Sequence, residues 1–182
     1  SVEPDPAVCP GGKVLGSVSL ASQADVDRMH GCTLVSERLD IEGEDIVDLG
    51  PLAALVEVGN YMEIRANPGL TSLAGLERLE RVGGALFISE NPALVDLEGL
   101  VGLRFVGSLS VNSNAALTSL QGLRNLVELS PWSPGVFIAA NDQLASIAGI
   151  EGIVANDAVR LTLIDNHQLT DLSALAAVDV LG

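Results

Sequence analysis

Apolar residues in this chain follow two rhythms that alternate along its length. Short stretches run with period two, as in Leu39-Asp40-Ile41, Met62-Glu63-Ile64 and Leu86-Phe87-Ile88. Each is followed by a run in which an apolar residue recurs at every third position, as at Leu70, Leu73, Leu76 and Leu79. Period two puts both apolar side chains on one side of a short strand. Period three is too tight for an ordinary helical stripe. It predicts short strands, turns and 3₁₀-like corners wound around one axis.

The two rhythms form a repeat. Segments beginning at Leu39, Tyr61, Leu86, Leu109, Val136 and Leu161 share the frame L-x-I-x-x-N-x-x-L-x-x-L-x-G-L-x-x-L-x-x-V, the first copy being degenerate. The inward strand residue recurs at Ile41, Ile64, Ile88, Val111, Ile138 and Leu163, in steps of 23, 24, 23, 27 and 25 residues. Six copies at this regularity exclude chance, and self-similarity at this period is the signature of a stacked repeat architecture. Asn67, Asn91, Asn114, Asn141 and Asn166 recur where each strand ends. Their amides are expected to bond free backbone groups at a buried corner and the amide of the next repeat, as a structural ladder. Gly75, Gly99, Gly122 and Gly149 mark a second corner, where positive φ or close packing would exclude a side chain.

A repeat cannot bury its own apolar face, so both ends need caps. At the front, Ser22 is placed to N-cap a helix over 23–30, with Asp25 in the capping-box position and Gly31 as the stop. The rear, Ser173 to Gly182, reads as part of another turn, and the chain is expected to continue beyond it. The predicted fold is an all-β-dominated solenoid, a right-handed parallel β-helix with a short N-terminal capping helix. Residues 1–38 form the cap and 39–182 the six repeats, within one domain.

Composition narrows this further. Of 182 residues, 48% are hydrophobic but only 3% aromatic, so Leu, Ile, Val and Ala must fill the core, as suits identical layers. Acidic residues outnumber basic ones 24 to 9, and the net charge of −15 argues against nucleic acid and anionic membrane as partners. No apolar run approaches the roughly 18 to 20 residues that span a bilayer, and the first ten residues carry no signal-peptide pattern. Cys9 and Cys32 flank the front segment, with no CxxC pair or His cluster to suggest zinc. A disulfide pinning the cap, contributing roughly 3 kcal/mol in an oxidising compartment, is preferred to two free buried thiols. The absence of an N-x-S/T sequon among nine asparagines points to a bacterial source.

The cap segment from Ser22 to Cys32 with Cys9, followed by repeats such as Leu86-FISENPALVDLEGL, resembles the receptor L-domain. That family supplies leucine-rich-repeat-like solenoids to the ectodomains of insulin- and epidermal-growth-factor-receptor relatives and to fungal and bacterial surface proteins. The resemblance covers the chain from Cys9 to about Leu175. It implies the fold and an extracellular or cell-envelope setting. The chain departs from that pattern in having one cysteine pair, no cysteine-rich neighbour and no sequon, and no ligand residues carry over.

Catalytic motifs are absent, and neither a cofactor nor a metal is expected. His30 and His167 fall in the cap helix and a corner turn. Pro10-GGKVLGS lacks the phosphate-loop spacing, and Glu42, Glu44, Asp45 and Asp48 match no calcium loop. The outward strand positions say more: the first two repeats are charged there, whereas Phe87, Phe137, Ala139 and Ile164 form a candidate apolar patch. A ligand would cover it, or another loop or a C-terminal segment does, or the strand face merely tolerates apolar residues. The 27-residue step inserts Ser130-PWSPG, whose Trp132 either joins the binding face or fills a gap in the stack. The expected function is non-catalytic recognition of a protein or glycan at the cell surface, without membrane insertion of this segment. The alternative is a structural envelope or adhesion element, with end-to-end self-association as its natural mode.

Overall fold

The computed structural model describes residues 9–132, 135–154 and 159–177. Ser133 and Pro134 of the insertion and residues 178–182 of the rear turn lie outside the described residues. The elements are β1 (Lys13–Val14), β2 (Val18–Leu20), α1 (Gln23–Asp27), β3 (Leu34–Val35), β4 (Leu39–Ile41), β5 (Glu57–Val58), β6 (Met62–Arg65), β7 (Arg81–Ser89), β8 (Phe105–Asn112), β9 (Glu128–Leu129), β10 (Gly135–Ala139), α2 (Glu151–Val154) and β11 (Arg160–Ile164).

Every strand pair is parallel, and the strands fall into two rows. One row runs β1, β3, β5 and the start of β7, continuing through the start of β8 to β9. The other runs β2, β4, β6, the end of β7, the end of β8, β10 and β11. The long strands β7 and β8 turn the corner between rows, with a register shift between Val82 and Ala85, and join the rows into one open eleven-stranded sheet. The six expected segments pair in register, Leu39 with Met62, Met62 with Leu86, Leu86 with Leu109, Leu109 with Val136 and Val136 with Leu161. The stack starts one strand earlier than the repeat frame, because β2 pairs with β4. Val18 and Leu20 keep the strand rhythm, but no asparagine follows to mark them.

The third-position leucines owe their spacing to successive three-residue turns. Leu76 N–H bonds the Leu73 carbonyl at 3.2 Å and Leu79 N–H bonds the Leu76 carbonyl at 2.9 Å, and Leu100, Leu103, Leu123 and Leu126 repeat the arrangement. Each turn brings the next leucine inward, so Leu70, Leu73, Leu76 and Leu79 are all fully buried. Burying one such side chain stabilises by roughly 1.5–3 kcal/mol, which makes these columns the main source of cohesion. A side-chain oxygen fixes each bend two residues ahead: Asp48, Ser72, Asp96, Ser119, Ser146 and Asp171 accept from the N–H of residues 50, 74, 98, 121, 148 and 173. These are Asx- and ST-type turns.

Close packing governs the glycine corner. A Cβ on Gly122 would lie 1.7 Å from the Leu97 carbonyl oxygen of the preceding repeat. Gly75 adds a φ of +109° to a similar clash with Leu49. The asparagines form the expected ladder. Asn114 donates from Nδ2 to the carbonyls of Ile88 and Asn112 and to Asn141 Oδ1, while its own Oδ1 accepts from the backbone and side-chain N–H of Asn91. Asn67, Asn91, Asn114 and Asn141 are fully buried, and Asn166 forms the last, half-buried rung. Gly43 N–H closes the front end onto Asn67 Oδ1 at 3.0 Å. Each ladder asparagine is preceded by a non-glycine residue in the left-handed region: Ala66, Glu90, Ser113, Ala140 and Asp165. Four of them, all but Asp165, donate their N–H to the strand of the next repeat, which offsets the unfavourable backbone.

At the front, Cys9 and Cys32 are bridged. The cap helix is shorter than the predicted span: α1 ends at Asp27, and Met29 and Cys32 continue in three-residue turns from Val26 and Met29. Those turns bury Met29 and Cys32 together. Ser22 caps Asp25 N–H, but the Asp25 carboxylate bonds Ala21 N–H and the Ser22 hydroxyl, one residue before the usual box partner. These bonds hold Asp25 below the ordinary carboxylate range, the Ser22 hydroxyl contributing most. Gln23 ties the helix to the first repeat, accepting from Val47 and Asp48 N–H and donating to the Asp48 carbonyl.

Candidate binding surface

The longer strand row presents an outward face whose columns are fixed by register. One column runs Ser19, Asp40, Glu63, Phe87, Ser110, Phe137 and Thr162. A flanking column reads Arg65, Ser89, Asn112, Ala139 and Ile164. On the other flank, Ala85 pairs with Ser108 and Gly135 with Arg160.

The front half of this face is an ion-pair lattice. Arg38 bonds Asp40 and lies 3.5 Å from Glu63, and Arg65 reaches Glu42 at 2.9 Å. The Arg38 guanidinium also sits 4.8 Å from the Tyr61 ring centre. Tyr61 in turn meets Phe87 edge to face at 6.4 Å and braces it from the front.

Behind Phe87 the face changes character. Phe87 and Phe137 are 36% and 39% exposed and stand on either side of Ser110, two strand spacings or roughly 10 Å apart. Between and beside them lies a shallow groove of about 320 Å³ lined by Ser108, Ser110, Gly135, Arg160 and Thr162. Asn112 Nδ2 donates to the Ser110 hydroxyl at 3.2 Å, which leaves the Ser110 O–H free to donate outward. No family model matches this chain, and no curated protein does either.

The expected patch residues therefore separate. Phe87 and Phe137 share the groove. Ile164 is 45% exposed but sits in the flanking column. Ala139 is only 8% exposed, so it is not part of an open patch: its neighbours Asn112 and Ile164 leave its single methyl little access to solvent. Trp132 is 93% exposed and fills no gap in the stack. Arg160, Ser108 and Gly135 were not singled out by sequence. The strand register, counted one residue before each frame leucine, would have found them.

A larger open cavity of about 570 Å³ lies at the strand ends, among Glu42, Glu44, Glu90, Pro68 and Pro92. Size does not make it the better site. Glu42 is already paired with Arg65, and Asp45 and Asp48 accept from Gln23 and Gly50 N–H, so three of the turn's four carboxylates are engaged in structure. Among the described residues no three His, Cys, Asp or Glu side chains cluster as metal ligands. His167 Nδ1 lies 2.8 Å from Asp142 on the neighbouring repeat, and that hydrogen bond raises its pKa above the ordinary value. The pair is exposed.

Proposed function

We propose that this chain is a non-catalytic recognition module of the cell exterior or envelope, a right-handed solenoid of receptor L-domain type that captures a protein or glycan on its strand face. The parallel in-register stacking of the repeats supports the architecture. The bridged cysteines favour an oxidising compartment, and no helix among the described residues is long and apolar enough to cross a membrane.

One observation carries the functional reading. Two half-exposed phenyl rings stand on rigid strands around a groove floored by small and hydroxyl-bearing residues, in a chain with little aromatic content elsewhere. Aromatic anchors on a fixed backbone lose little entropy on binding and often dominate interface energy. The test is the double substitution Phe87→Ser with Phe137→Ser, compared with wild type on a glycan array and a panel of displayed ectodomains. A melting temperature nearly unchanged, with capture weakened tenfold or more, is the expected result. Unfolding of the double variant would make the two rings core residues, and unaltered capture would move the binding site elsewhere.

A further inference from the structure

Resting on that reading, we infer that the groove takes an extended, uncharged, β-1,4-linked glycan laid across the strands, one sugar ring per strand.

The first argument is spacing. Phe87, Ser110, Phe137 and Thr162 stand on four successive strands in register. A pyranose in an extended β-1,4-linked chain advances by slightly more than one strand spacing of roughly 4.8 Å, so ligand and sheet stay nearly in step over the four positions. An extended peptide laid the same way repeats its side chains roughly every 7 Å and falls out of step.

The second argument is period. The column alternates phenyl, hydroxyl, phenyl, hydroxyl. An extended β-1,4 chain turns each ring over relative to the last, so equivalent ring faces recur at every second sugar. Phe87 and Phe137 then meet equivalent rings, while Ser110 and Thr162 meet the rings between them. Chains with α-1,4 or β-1,3 linkages curl and cannot hold this alternation.

The third argument is chemistry. The axial C–H face of a pyranose is apolar and carries slight positive charge, which suits the negative face of a phenyl ring. Its equatorial hydroxyls point sideways, where Ser108 and Arg160 line one flank and Asn112 the other. Gly135, with nothing within 4 Å of its Cβ position, leaves room beside Phe137. Among the described residues no carboxylate lines the groove, and the chain's net charge of −15 disfavours a polyuronate. The column changes to Glu63 in front of Phe87, so the site begins there.

Calorimetric titration with cellohexaose, mannohexaose and N-acetylchitohexaose, against laminarihexaose, maltohexaose and a hexauronate, tests this. At least one β-1,4 series should bind, with affinity rising tenfold or more from disaccharide to tetrasaccharide and then levelling. Phe137→Ala should weaken it tenfold or more. Ser110→Phe, on the solvent side of its strand, should do the same by breaking the alternation while the melting temperature holds. Equal binding of the curled or acidic hexamers, or no length dependence, would overturn the inference. If no β-1,4 hexamer binds while the paired Phe87 and Phe137 substitutions still abolish capture of another ligand, this inference falls and the recognition reading stands. If those substitutions affect no capture at all, both fall.

Discussion

The front and rear halves of the long strand row have the same interior and opposite exteriors. Inside, Asn67 and Asn114 each donate to the strand carbonyl of the preceding repeat, Ile41 and Ile88, and Ile41, Ile64, Val111 and Ile138 are equally buried. Outside, the front columns spend their charges on each other, Arg38 with Asp40 and Glu63, Arg65 with Glu42. The rear columns place Phe87, Ser110, Phe137 and Thr162 side by side without satisfying one another. A stacked repeat separates the two tasks, because alternate strand positions face opposite ways. The interior sets stability, and the exterior is free to differ from repeat to repeat.

The largest expected effect tests the shared interior. Asn67→Ala and Asn114→Ala should each cost about 3 kcal/mol or more, since either leaves several buried backbone groups without partners. Chemical denaturation measures this, and the loss should be the larger at Asn114, which makes more bonds; a larger loss at Asn67 would break that ranking. Reduction of the Cys9–Cys32 bridge should cost roughly 3 kcal/mol but act at the front only. Hydrogen exchange should then quicken through β1 to β4 before β8 and β10, whereas uniform quickening would make the stack a single cooperative unit.

The outer faces should respond differently to salt. Arg38→Gln should lower the melting temperature slightly at low ionic strength and less as salt rises, as expected of exposed pairs. The melting difference between wild type and the paired Phe87→Ser and Phe137→Ser variant should not change with salt. Smaller still, Ala140→Gly should gain under about 1 kcal/mol by relieving a left-handed alanine, set against the looser unfolded chain. Loss of stability there would show that the Ala140 methyl matters more than its backbone.

The smallest effect is a titration. The pKa of His167 is raised by Asp142 in the folded chain, so the pair's contribution is complete below the unfolded value near 6.5. It fades as pH climbs through the folded value. An NMR titration should give a midpoint above 6.5 that Asp142→Asn lowers, and no shift on that substitution would dissociate the two residues.

Legibility in the sequence followed how far each position depends on its own residue type. The strand isoleucines, the five asparagines and the four corner glycines are each demanded by chemistry that few residues meet, so their recurrence revealed the stack. Ser72, Asp96, Ser119 and their equivalents were equally regular, but a frame that tracked one residue type per position hid a Ser-or-Asp alternation. The left-handed residues before the first four asparagines vary among Ala, Glu and Ser because partners in the next repeat hold their backbone. β2 fell outside the frame because no asparagine follows it, the ladder ending at Asn67, whose Oδ1 accepts from Gly43 N–H just after β4. The phenylalanines were legible as an outward column. The groove beside them was not, since Ser108, Gly135 and Arg160 line it through register rather than through any motif.

The longest repeat step carries a practical consequence. Between Asn114 and Asn141 the chain spends 27 residues, yet the rung closes at 3.2 Å, the same as the 23-residue step before it. The surplus bulges at Ser130, Pro131 and Trp132, anchored by Ser130 N–H to Val106 and Gly107. Length at this corner is thus uncoupled from the interior, which makes it a grafting port. A foreign loop or fluorescent reporter spliced there would be carried without strain. It would also sit three residues ahead of Gly135, where its composition can retune what enters the groove.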